Sequence, residues 1–512
     1  MTTIKTRAAA LALAAFACAP AWAGKADDTL RLAFQYPMST VDSYADFKPE
    51  MEMLSAMVFD SLVAYSEDDN KYHPLLAERW EQTDATHWRF HLRDGIKWHD
   101  GQPFSADDVV YTYRWILDPA TKIRTKATFN WMADAVKVDD HTVDIVTRGP
   151  TPNILALLAY GAHILPKHVH GPLADKAAFR DNLVGTGIYK VKSLTSDGFL
   201  TLERNEAFAH GGEARAKPAI GTVTIRSMPD LGAQTAALLA GDLDVVRNLQ
   251  YEEAQAISAD PKYAMDISQS IAYMYVMLDT QGRSGAQALK DPRVRRAILM
   301  AIDRKGVAAS RTGGKLPDRF PTQLCWDFQE SCSYRETPPA YDPEGAKALL
   351  KEAGHADGLS FKIHTFTSTK DFAEAVSGYL ARVGIKTEVI AQTFQAWRKS
   401  QRDGEFQVLV AAWHAGKAPD AVLAVQQFFN GDDRDMYQNA EITAVNKSLS
   451  VAPLGTARAG MIATILDAAV RDAYMVPLAG IPVVFLRSAD VQMKTNRNIP
   501  YTVYLNDFSW SK

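Results

Sequence analysis

Cysteine is scarce in this chain, with three in 512 residues. That excludes a disulfide-dense scaffold and leaves too few thiolates for a cysteine-rich metal centre. Positive charge is not in excess either: the formal net charge is −4, which argues against a nucleic-acid partner. No apolar run reaches the roughly 20 residues of a membrane-spanning helix. H-E-x-x-H, C-x-x-C, G-x-S-x-G and G-x-x-x-x-G-K are all missing, and with them the usual marks of zinc proteases, dithiol redox proteins, serine hydrolases and phosphate-binding loops. Internal repeats and low-complexity linkers are absent as well.

The composition that remains, 47% hydrophobic and 23% charged, is ordinary globular material for two to four domains. Residues 1–23 read as a secretory signal: Lys5 and Arg7, an apolar run from Ala8 to Ala17, then the small-x-small site Ala21-Trp22-Ala23. Cleavage there starts the mature chain at Gly24 and moves the formal charge from −4 to −6. A lipidated Cys18 is the alternative, and Ala15-Phe16-Ala17 approaches it poorly. The two other cysteines, Cys325 and Cys332, are expected to form a disulfide in an oxidising compartment, which on chain entropy contributes about 2–3 kcal/mol. A zinc reading of this pair lacks a nearby histidine.

The stretch Phe90 to Pro119 carries the densest local signal. Asp94-Gly95 and Asp100-Gly101 read as turns flanking a short Lys97-Trp98-His99 strand. Ser105 and Asp108 have capping-box spacing, and Val109, Val110, Tyr113, Ile116 and Leu117 form a helical apolar stripe stopped by Asp118-Pro119. Elsewhere strands and helices alternate. Thr222–Arg226, Leu231–Ala240 and Leu243–Val246 read as one β-α-β crossover, and residues 361–411 as a β-α-β-α-β run. Gly185-Thr186-Gly187 opens a strand, not a helix, so it is no phosphate cradle.

Phe90 to Pro119 resembles the signature of the periplasmic solute-binding receptors of ABC importers, family 5, the oligopeptide, dipeptide and nickel type. Further segments resemble that family in the right order: Pro74 to Trp80, Val184 to Lys190, Leu202 to Asn205, Ala240 to Asp244 and Asp291 to Ala297. The resemblance implies an α/β two-lobed clamp with an additional α+β domain, of the type II, cluster C-like arrangement. By that resemblance residues 24–62, 184–275 and 488–512 make the first lobe, 63–183 the extra domain, and 276–487 the other lobe. It also implies a monomeric periplasmic receptor, not an enzyme, with no cofactor. Its partners would be a peptide or other small organic solute and the membrane permease of an ABC importer.

Ligand contacts implied by the resemblance are Trp397, Trp413, Tyr273 and Tyr275, with Tyr36 beside Pro37 at the end of the first strand. Flat aromatic faces suit an extended organic ligand. His414 is a candidate hydrogen-bonding group, and Arg124, with Lys122 and Lys126, a candidate for attracting a carboxylate or phosphate. The departure from the family lies at Gly416, where peptide-binding members carry an aspartate that pairs with the ligand's amino terminus. Asp420 replaces it only if the loop is rearranged. Two other readings stand beside the peptide receptor: a receptor for haem or a metal chelate such as nickel, and a secreted hydrolase. His163, His168 and His170 lack a carboxylate at helical spacing, which argues against a metal site there.

Overall fold

The computed structural model describes residues 24–512 apart from 47–48, 67, 124–125, 213–214, 311, 315–319, 414–419, 450 and 496–504. A ten-stranded sheet organises the chain. Its strands lie in the order Ile385–Gln392, Leu359–Phe366, Val408–Trp413, Tyr263–Leu278, Met475–Ser488, Val245–Arg247, Thr29–Phe34, Thr222–Ser227, Leu200–Arg204 and Tyr189–Leu194. The middle pair, Tyr263–Leu278 and Met475–Ser488, run antiparallel through both halves of the molecule. Thr29–Phe34 lies between its two parallel neighbours, so the predicted crossover passes over one strand by way of the helix Leu231–Leu239.

Period-two alternation on the long strand divides the second lobe's core. Tyr273, Tyr275 and Met277 face an aromatic cluster with Trp397, Phe406 and Phe428. Met274, Val276 and Leu278 face an aliphatic cluster with Ile298, Ile363 and Leu380 on the other side. The other half of the same strand and its partner turn Met265, Ile267, Val484 and Leu486 towards Ala33, Leu243 and Val246. Core membership therefore changes hands between residues 267 and 273 and between 479 and 483, while the expected boundaries at 275/276 and 487/488 fall inside these two continuous strands. Met475–Ser488 contains Pro477 and Pro482. The strand tolerates both because they sit beside register shifts, opposite Tyr275 and Gln269.

A four-stranded antiparallel sheet, ordered Ala77–Gln82, His87–Leu92, Thr142–Thr147 and Met132–Asp139, lies in the inserted region with the hairpin Val63–Ser66 and Lys71–Pro74. The helix Ala106–Leu117 packs on it through buried Val109, Tyr113 and Ile116. Ser105 accepts the Asp107 N–H, and the Asp108 carboxylate accepts the Ser105 N–H at 3.0 Å, as the spacing predicted. Lys97–His99 is not a strand; only an isolated Lys97–Pro103 bridge forms.

Gly185 and Gly187 are required by close approach, not by a sharp turn. A Cβ at Gly185 would stand 1.9 Å from the Val58 carbonyl oxygen, and one at Gly187 2.4 Å from that of Met57. Beside them the buried Asp60 carboxylate receives Thr186 Oγ1 at 2.9 Å, His210 Nε2 at 2.7 Å and Arg215 Nη1 at 2.6 Å. Burial alone would raise its pKa, but the His210 hydrogen bond and the charges of His210 and Arg215 hold it down at about 2. This ionised knot ties the first helix to the return of the chain from the inserted region.

Candidate functional site

Strand direction fixes where a ligand can bind. Val408–Trp413 is parallel to Leu359–Phe366, which is parallel to Ile385–Gln392, and all three run with Met475–Ser488 towards the first lobe. Val245–Arg247, Thr29–Phe34 and Thr222–Ser227 run the opposite way. The carboxyl ends of the two parallel sets therefore confront each other across the middle of the shared strands, the position at which open α/β sheets bind ligands.

Tyr36 follows the end of Thr29–Phe34 and is 49% exposed. Trp413 ends its strand half-buried, with its ring 5.6 Å from Tyr273 and 5.7 Å from Phe428. Tyr273 and Tyr275, expected to touch ligand, are instead buried at 1% and 3% exposure. The Tyr273 hydroxyl is spent on the Leu324 carbonyl at 2.9 Å, and Tyr275 packs on Phe428 at 5.0 Å. Burial raises the pKa of both phenols. Tyr273 packs directly against Trp413, and Tyr275 packs on Phe428, which also touches Trp413. Trp397 is likewise an interior ring, enclosed by Phe366 at 4.7 Å and Phe406 at 5.1 Å, with Phe394 stacked over it at 6.4 Å. Phe394, 60% exposed at the same sheet edge, was missed in the sequence because an aromatic at the first position of a helix signals nothing by itself.

Three other candidates, Arg124, His414 and Gly416, lie outside the described residues. Lys126 is committed locally: its ammonium donates to the Thr121 carbonyl at 3.0 Å and to that of Asp118, closing off the preceding helix. Asp420 does not replace the missing aspartate. It is fully buried, takes Arg458 Nη2 at 2.7 Å and the Val422 N–H at 3.0 Å, and has no oxygen left unpaired. On the first-lobe wall a cavity is lined by Phe34, Met53, Arg247, Phe485 and Phe508 among others, with the Arg247 guanidinium 5.1 Å above the Phe34 ring.

Among the described residues no group of three or more metal-ligating side chains gathers. Of the histidines considered for metal, His168 meets Asp100 at 2.7 Å and His170 Nδ1 meets the Tyr111 hydroxyl at 2.5 Å. Cys325 and Cys332 are bonded, as expected.

Residues 71–435 match the family described as bacterial extracellular solute-binding proteins, family 5. The chain belongs to that family. Among its family 5 relatives, the oligopeptide-binding protein AppA of Bacillus subtilis is 26% identical over 387 residues, 70% of this chain and 68% of that protein. Heme-binding protein A of Haemophilus influenzae is 24% identical over 437 residues, 77% of each chain. The crystal structure of NikA from Brucella suis in complex with Fe(III)-EDTA superposes with a TM-score of 0.80 at 22% identity, covering 94% of this chain and all of that one. This family 5 protein is thus a solute-binding receptor for ABC import with the two-lobed α/β fold. The family consists of binding proteins, not enzymes, and no helix of the described residues is long and apolar enough to cross a membrane.

Proposed function

We propose that this receptor captures a peptide or peptide-like organic solute between its two lobes in the periplasm and presents the closed form to an ABC permease. Residues 1–23 act as the export signal, and the receptor works as a monomer. The observation that carries the reading is the confrontation of the two sets of strand ends, with Tyr36 exposed on one side and Trp413 and Phe394 on the other. Trp413 and Tyr36 are the ligand-facing aromatics; Trp397, Tyr273 and Tyr275 keep the second-lobe wall rigid beneath them. Closure is driven by contacts that form only when a solute bridges both lobes. The names of relatives, which include peptide, haem and glutathione binders, support a small organic ligand.

A planar metal chelate such as haem is the second reading, favoured by the exposed Phe394 ring lying 13° from the plane of Trp397. A melting screen across peptides, haem and nickel chelates, with mass spectrometry of the co-purified solute, separates the two. Binding to the folded state alone stabilises by about 2.7 kcal/mol at a hundredfold excess over Kd. Trp413→Ala is expected to remove most of that shift. Release of a chemically altered solute would sink the receptor reading in favour of a hydrolase.

A further inference from the structure

The disulfide loop is fastened to the end of the Val408–Trp413 strand and, separately, to the start of the chain's next described stretch. At the first place Tyr273 and Trp413 are partners in the antiparallel ladder, so their side chains stand on one face of the sheet, with ring centres 5.6 Å apart. The Tyr273 hydroxyl donates to the Leu324 carbonyl at 2.9 Å, and Leu324 is joined directly to Cys325. At the second place Glu330 forms an isolated parallel bridge with Asp420, and the Ala421 N–H donates to the Glu330 carbonyl at 3.1 Å. Cys332 follows two residues later and closes the ring onto Cys325. One covalent ring thus touches Trp413 through Tyr273 and holds Asp420 through Glu330.

Between Cys325 and Cys332 there is no helix or strand apart from that single bridge. The loop is tied internally by the Gln329 side chain, which accepts the Trp326 N–H at 2.8 Å, and by backbone bonds from Gln329 to Trp326 and from Cys332 to Gln329. Without the S–S bond these few contacts must hold the ring closed against chain entropy. Tyr273 feels such loosening first. It is buried, with no solvent at hand to replace the Leu324 carbonyl, so its hydroxyl keeps that bond only if the ring moves with the loop. Trp413 feels it next, because it is the last residue of its strand and half-buried, and its direction depends on the rings beside it. The aliphatic side chains Met274 and Val276 point to the other face of the same strand and lie outside this chain of contacts.

Resting on the receptor reading above, we infer that the Cys325–Cys332 loop sets the position of Trp413 for the solute. Tyr273 is the positioning residue that carries its effect from the Leu324 carbonyl to the indole. The disulfide therefore tunes solute affinity as well as stability.

The test reads Trp413 by fluorine NMR of the purified protein labelled with 5-fluorotryptophan, its line assigned by its loss in Trp413→Phe. The Cys325→Ser/Cys332→Ser variant should shift or broaden that line. Tyr273→Phe, which keeps the ring and the disulfide and removes only the hydroxyl, should do the same. Combining the changes should add little, because both open one linkage. The line of Trp98, in the inserted region, should stay where it is throughout. Calorimetry with trialanine, or with haem if the melting screen selects the chelate, should show affinity lowered about three- to tenfold in each variant. A Trp413 line unmoved in both variants overturns the inference, whatever solute binds. So does full solute affinity in Tyr273→Phe, or movement of the Trp98 line together with that of Trp413, which marks a general loosening. If no solute in the melting screen binds, the receptor reading fails and the role in binding falls with it, an outcome distinct from an unmoved Trp413 line.

Discussion

Eight of the chain's twelve histidines lie between residues 63 and 183, whereas the second lobe holds the disulfide and the interlocking rings of Tyr273, Trp397, Phe406, Trp413 and Phe428. The inserted region shares one apolar core with the first lobe and adds polar links at the seam: His99 accepts the Gly185 N–H at 3.2 Å through Nδ1 and meets the Gly187 carbonyl through Nε2, next to the Asp60 knot. The second lobe is secured chiefly by apolar packing, and the buried Asp420–Arg458 ion pair lies at its edge. The two regions should therefore respond to different insults. Protonation attacks the first; loss of covalent or steric constraint attacks the second.

The largest effects are expected where a buried ion loses its partner. Asp60→Ala strands the Arg215 and His210 side chains, and Arg458→Ala strands the Asp420 carboxylate; each should cost about 3–5 kcal/mol in urea unfolding. If Arg458→Ala proves harmless, the second lobe is as independent of charge as its rings suggest, and the comparison sharpens. A smaller loss, about 2–3 kcal/mol, is expected for the Cys325→Ser/Cys332→Ser double variant, and it should appear as a lowered unfolding midpoint of the second lobe. Loss of the inserted region's structure instead would break the contrast.

Acid should act in the opposite place. Burial lowers the pKa of His99 and of His170 to about 4, against about 6.5 unfolded. Around His99 the Gly187 carbonyl, Asp60 and Asp100 pull the value up and Lys190 pulls it down; Lys176 adds to the lowering at His170. Between pH 6.5 and 4 the unfolded state binds more protons than the folded one, so stability is full above that window and falls with pH through it. On the order of 1–2 kcal/mol per histidine should be lost by pH 5, first in hydrogen exchange of the inserted sheet. The Asp60 knot should then fail only below pH 4, as its carboxylate takes up a proton towards about pH 2. Earlier exchange in the second lobe would overturn this order.

Much of the architecture was legible in the residues. The Ser105–Asp108 cap and the β-α-β units rest on contacts a few positions apart, which local sequence specifies. The long crossing strands were not legible, because Pro477, Gly480 and Pro482 look like breakers until a partner strand shows them to lie beside register shifts. The candidate site was harder still. Tyr273 and Trp413 are paired across strands, and only that pairing shows which ring is covered and which is offered.

Taken alone, the sequence determined a charge-balanced α/β receptor, its family and its disulfide, because composition, short motifs and their order are local properties of the chain. The tertiary structure decided which aromatics are buried and which are exposed, and that Asp420 is paired with Arg458. Burial and charge balance depend on which distant segments meet, and no residue carries that information by itself.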